Sequence, residues 1–138
     1  MSVSPLLERL RERLEELPLV RLAAAFGSVA RGEERADSDV DLGLVLDGDT
    51  SAARREVEAA LGRAAGRAVD VVYLDEAPPL LRFEVSRDGV LLLERRAHEW
   101  ADFRAKAMID WWDWAPTARR IEAELIRRLR EKAASGAR

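Results

Sequence analysis

The sequence predicts an α/β (α+β) fold: a small mixed β-sheet with flanking helices, followed by C-terminal helices. Three observations predict it. Four short apolar or β-branched runs have the length of strands, charged segments of helical character alternate with them, and Gly, Pro and Asp cluster at the junctions. In order, Leu6, Leu10, Leu14 and Leu17 recur at helical spacing between charges and Pro18 follows, so a helix is expected from about Ser4 to Leu17. The apolar run Leu19 to Phe26, broken by Gly27-Ser28, reads as a buried strand ending in a turn. Val40 to Leu46 reads as a second strand, closed by Asp47-Gly48-Asp49. Ser51 to about Ala65 is helical by its Ala, Arg and Glu content, and Ala68 to Leu74 is a third strand carrying one carboxylate, Asp70. Pro78-Pro79 opens a helix over Leu80 to Arg87 that Asp88-Gly89 stops, and Val90 to Leu93 is a fourth short strand. From about Ala97 the chain reads as helical, with a break expected at Ala115-Pro116 because proline lacks the helix N–H, and with Ser135 to Arg138 frayed. The extra helices are expected on one side of the sheet.

The 138 residues are expected to form a single domain, with a core at about 5–95 and a helical extension at about 96–134. The chain has no cysteine, so a bound metal would use oxygen ligands or the single histidine, His98. His98 itself reads as an exposed residue near a helix start. The N-terminus alternates leucines with charges and has neither a signal-peptide core nor a membrane span, which predicts a cytoplasmic protein. A net charge of −3 argues against a general nucleic-acid binder. The charge is uneven: from Arg119 to Arg138 there are seven basic and three acidic residues, either a solvated helix face or a surface for an acidic partner.

The chemistry concentrates in Gly27-Ser28-Val29-Ala30-Arg31-Gly32-Glu33 and Ser38-Asp39-Val40-Asp41. A strand ending in Gly-Ser and running into a helical turn offers N–H groups and a hydroxyl to an anion. Asp39 and Asp41 are two apart, a spacing that in a strand sends both carboxylates to one side, about 6.6 Å apart along the chain. Two carboxylates on one face repel each other and lose solvation, and a cation removes both costs. Oxygen ligands select a hard ion, and magnesium prefers one or two carboxylates with phosphates and water. Asp70, alone in Ala68-Val69-Asp70-Val71-Val72, is the natural third member. Two ions about 3.5–4 Å apart would clamp the attacking and leaving oxygens of an in-line displacement at phosphorus, with Asp70 able to accept the attacking hydroxyl's proton. The structural alternatives are plain: Asp39 as a turn or cap residue, Ser28 as a helix cap, and Asp41 and Asp70 paired with arginines.

Gly27-Ser28, Asp39-Val40-Asp41 and a distal Asp70 together resemble the polymerase-beta-type nucleotidyltransferase superfamily. Within it, Phe26 to Leu42, Asp75-Glu76-Ala77-Pro78-Pro79-Leu80-Leu81-Arg82 and Arg87-Asp88-Gly89-Val90-Leu91-Leu92 are similar to the minimal nucleotidyltransferase antitoxins, over about residues 5 to 95. The resemblance implies that Gly27 and Ser28 bind the triphosphate of ATP, that Asp39 and Asp41 hold two Mg2+ ions, and that Asp70 completes the second site. Arg31 matches the family's arginine in Gly-Ser-x-x-Arg-Gly-Glu; it either contacts phosphate or pairs with Glu33 or Asp37. The resemblance further implies AMP transfer to a HEPN-type ribonuclease toxin, on a tyrosine, in a hetero-oligomer. Two alternatives stay open: a small-molecule nucleotidyltransferase of the aminoglycoside type, disfavoured by the lack of a second domain to wall in a drug, and a non-catalytic antitoxin that acts by binding.

Trp100, Phe103, Ala107, Trp111 and Trp114 share one helical stripe, with Met108 and Trp112 beside it. Either the indoles fill the core, or Trp112 or Trp114 faces outward to anchor a partner. Ile121, Leu125 and Leu129 could extend either surface.

Overall fold

The computed structural model describes residues 4–33, 35 and 38–136. Its elements run α1 (Pro5–Glu15), β1 (Val20–Phe26), α2 (Gly27–Ala30), β2 (Val40–Leu46), α3 (Ser51–Ala65), β3 (Val69–Tyr73), α4 (Pro79–Asp88), β4 (Val90–Glu94) and α5 (Glu99–Gly136). The four strands form one mixed sheet in the order β3-β2-β1-β4, with β1 antiparallel to both β2 and β4, and β2 parallel to β3. The β2-α3-β3 unit makes the parallel pair, since parallel strands need a crossover connection.

Strand alternation divides the side chains between two layers. Val40, Leu42, Leu44 and Leu46 of β2 join Leu6, Leu7, Leu10 and Leu14 of α1 and Val57, Leu61 and Ala65 of α3 in the larger core. The opposite parity, Leu22 of β1 and Val45 of β2, packs with Leu74, Val85 of α4, and Trp100 and Phe103 of α5. Helices therefore cover both faces, not one as the sequence suggested. The pattern within β1 explains this: Leu22, Ala23, Ala24 and Ala25 are all buried, as expected for an interior strand with no solvent face.

Local chemistry fixes the junctions. Thr50 caps α3 by accepting from the Ala53 amide at 3.1 Å, and Gly66 ends it in the left-handed conformation. Arg95 donates to the carbonyls of Leu14 and Leu17, which close α1, and to Val20 at the start of β1. Arg54 of α3 pairs with Asp49 and Glu76 and stands 3.8 Å above the Tyr73 ring of β3. Arg21 binds both Asp47 and Glu99, tying the start of α5 to the sheet.

The expected break at Ala115-Pro116 is absent, and α5 runs unbroken through Pro116 to Gly136. Proline removes one hydrogen bond, to the carbonyl of Trp112. Both residues are exposed, so water satisfies that carbonyl without ending the helix. Helical order also extends over Ser135 and Gly136, expected to fray, while Ala137 and Arg138 lie outside the described residues.

Leu10 is fully buried where α1 meets the sheet. Leu10→Ala should cost about 2–5 kcal/mol of unfolding free energy, measurable as an earlier urea midpoint with an unchanged slope.

Candidate active site

The site forms where β1 ends and β2 and β3 begin. Phe26, the last residue of β1, is the register partner of Asp41, and Asp41 is in turn the parallel partner of Asp70. Both carboxylates share the parity of Val45 and so project from the face that α4 and α5 cover further along the sheet. Adjacent strands lie about 4.8 Å apart, which holds the two carboxylates as neighbours by backbone pairing alone. Asp39 stands exposed just before β2.

Electrostatics shows how closely the three interact. The Asp41 carboxyl is pushed above the usual carboxylate range, first by burial, then by the charges of Asp70 and Asp39, against a smaller opposing pull from Arg31. Among the described residues no arginine or lysine forms an ion pair with Asp39, Asp41 or Asp70. Nor, among those residues, do any three His, Cys, Asp or Glu side chains form a group that could hold a metal ion, so Asp39, Asp41 and Asp70 do not converge into the three-carboxylate cage the sequence suggested. A magnesium site is not expected to be one, because that ion keeps several waters and takes phosphate oxygens from its substrate. A carboxylate whose ionisation is opposed by burial and by neighbouring carboxylates, and that no ion pair neutralises, suits a hard divalent ion.

Gly27 turns the chain from β1 into α2. Its φ of +72° is a conformation that side chains oppose, and a Cβ there would collide with the Asp41 carboxylate. The backbone of Gly27 therefore lies against the Asp41 carboxylate. Ser28 is the second residue of α2 and makes no side-chain capping bond; the cap position belongs to Phe26. The turn role weighed for Asp39 falls instead to Ser38, whose hydroxyl accepts from the Arg35 amide at 2.8 Å.

Arg31 is half exposed, and its Nε donates to Glu33 at 3.1 Å. Asp37, the other partner weighed for it, lies outside the described residues. Arg31 also helps hold the Asp88 carboxyl below its usual range, after the larger effect of Arg87. Asp88, at the end of α4, thus belongs to the rim of the site, which the sequence reading missed. It reads there only as a helix stop, and nothing local signals its approach to Arg31.

A sheet whose strand ends bring a Gly-Ser turn to paired carboxylates defines a nucleotidyltransferase core, and comparison with known proteins agrees. Residues 8–98 match the family described as Polymerase beta, Nucleotidyltransferase, and the chain belongs to that family. No curated protein matches its sequence. Among solved structures, a toxin-antitoxin crystallised with AMP-PNP shares the fold at a TM-score of 0.75 and 23% identity, over 87% of this chain and 98% of that one. The toxin-antitoxin MntA-HepT is similar at 0.68 and 21%, over 86% and 98%. The tri-AMPylated Shewanella oneidensis HEPN toxin in complex with MNT antitoxin is similar at 0.68 and 21%, over 87% and 98%.

Because burial and like charge raise the Asp41 pKa in the folded state, that residue favours folding fully only below its unfolded pKa. The contribution is lost as pH rises through the higher folded value. Asp41→Asn should therefore raise Tm at neutral pH in chelator-treated protein, and the gain should vanish on acidification. Gly27→Ala should do the reverse, lowering stability by roughly 1–3 kcal/mol through a strained φ and the clash with Asp41, read by thermal unfolding.

Proposed function

We propose that the protein is an adenylyltransferase antitoxin that transfers AMP from ATP to a hydroxyl of a cognate HEPN-type toxin, a tyrosine in this reading, and so neutralises it. The observation that carries the proposal is the in-register pair Asp41 and Asp70, with Asp39 acting on Asp41 as well, in ion-pair contact with no described cation, and with Asp41 packed against the Gly27 turn. The family supports nucleotidyl transfer. The toxin partner is supported by the likeness of fold to chains from toxin-antitoxin complexes, one of them holding an ATP analogue and another an AMPylated toxin.

In this reading Gly27 and Ser28 receive the triphosphate, since a residue without a side chain lets backbone amides approach phosphate oxygens. Asp39, Asp41 and Asp70 would hold Mg2+, which would supply charge neutralisation at the phosphates. Asp70, exposed at the edge strand of the sheet, accepts the proton of the acceptor hydroxyl. The hydroxyl oxygen bonds to the α-phosphorus, the bond to the bridging oxygen of pyrophosphate breaks, and pyrophosphate leaves. Arg31 is paired with Glu33, and in this reading it would meet phosphate when that exposed ion pair opens, at little cost. A location in the cytoplasm fits this role, and among the described residues no helix is long and apolar enough to cross a membrane.

The test is transfer of label from α-labelled ATP, with magnesium, to the product of the neighbouring gene. Asp39→Asn with Asp41→Asn should lower the rate at least about a thousandfold, the several kcal/mol of a lost metal contribution, while circular dichroism stays unchanged. Full transfer by the double variant would end the metal assignment; complex formation without any label would favour an antitoxin that acts by binding alone.

A further inference from the structure

The second half of α5 projects beyond the body. The last side chains that tie the helix to the rest of the fold are Asp110, bonded to Arg82, Trp111, stacked on Phe83 at 5.5 Å, and the buried Ala115. Twenty residues, 117–136, continue past them, about 30 Å of helix.

That projection is not uniformly polar. Ile121, Leu125 and Leu129 are 55%, 55% and 57% exposed. Each lies 18 residues, or five whole turns, beyond Phe103, Ala107 and Trp111 respectively. The apolar stripe that α5 uses against α4 and the sheet therefore continues in line along the free half, where nothing covers it. A shallow groove there is lined by Thr117, Arg120, Ile121, Glu124, Leu125 and Arg128. Lys132, seven residues after Leu125, adds a third cation to the same side. Glu124 is already paired with Arg127 and Arg128, and Arg127 also holds Glu131, whereas Arg119, Arg120, Arg130 and Lys132 have no ion-pair partner among the described residues.

We infer that this free half of α5 is the docking ridge for a protein partner whose surface presents an apolar strip bordered by carboxylates. The inference builds on the reading of the acceptor as a protein, and it assigns that protein's seat to Ile121, Leu125 and Leu129. Charge selects the occupant. A second copy laid parallel on the ridge would set Arg120, Arg128 and Lys132 against their own kind, and one laid antiparallel about Leu125 would still set Arg120 against Arg130. An anionic bilayer would attract those cations and could take Ile126, 41% exposed, beside the stripe, but Glu122, Glu124 and Glu131 break up the cationic face and Glu124 lines the groove itself. A protein surface can match both the narrow strip and the mixed border.

The test is calorimetric titration of the full chain with the neighbouring gene's product. Ile121→Asp with Leu125→Asp should weaken association at least about thirtyfold, as for loss of a central apolar anchor. Arg120→Glu, Arg128→Glu and Lys132→Glu together should weaken it at least about tenfold and flatten its salt dependence. Both variants should keep the wild-type Tm, since these side chains touch nothing in the body. Unchanged affinity in the stripe variant overturns the assignment, as does absence of any association of the wild-type pair. So does a wild-type homodimer, or binding to phosphatidylserine vesicles, that the stripe variant abolishes. Asp39→Asn with Asp41→Asn should bind normally. Stripe-dependent association without label transfer would therefore sink only the transferase reading, and transfer that is indifferent to the stripe would sink only the docking ridge.

Discussion

Parallel pairing of β2 with β3 forces Asp41 and Asp70 side by side on one face of the sheet. Backbone hydrogen bonds impose this proximity, and the side chains themselves oppose it: burial and like charge both press the Asp41 carboxyl toward its protonated form. A fold that served stability alone would place apolar residues there, as it does at Val40 and Leu42 on either side. The cost is local, and it is held in place by elements that do not share it.

Those elements lie chiefly on the other side of the sheet. The face covered by α1 and α3 is apolar from end to end and contributes most of the buried side chains. The face covered by α4 and α5 has a smaller core and leaves the β2 and β3 ends free for charge. One layer thus secures the strands while the other carries the chemistry, and the close approach of Gly27 to Asp41 couples the two requirements at a single turn. Any residue but glycine at that position would meet both the unfavourable φ and the carboxylate.

What could be read from the sequence follows the range of the interactions involved. The spans of β2 and α3 were legible residue for residue, because an apolar run, the Asp47-Gly48-Asp49 turn and a stretch rich in Ala, Arg and Glu are local signals. The three acidic residues were legible because a charge in an apolar run is conspicuous. Their mutual arrangement was an expectation, and it depends on the β2-β3 register, which no short stretch of sequence encodes. The placement of α4 and α5 on the second face was not legible, since Leu22 and Val45 look the same in sequence whichever layer they face. Continuity through Pro116 was misread for a related reason: the rule against proline weighs a lost hydrogen bond without knowing that the freed carbonyl reaches solvent.

The tryptophans of α5 divide between packed and exposed positions. Trp100 stacks on Phe103 over the smaller core and Trp111 stacks on Phe83, whereas Trp112 is two-thirds exposed. A helix that buries one stripe for half its length and repeats the same stripe in solvent for the other half has a periodicity its own body cannot use. Apolar side chains at five-turn intervals gain nothing in water, and an isolated helix of twenty residues is only marginally stable. Packing of the first half supplies the nucleus that keeps the second half ordered, so the projecting ridge is pre-formed and needs little ordering when it is covered.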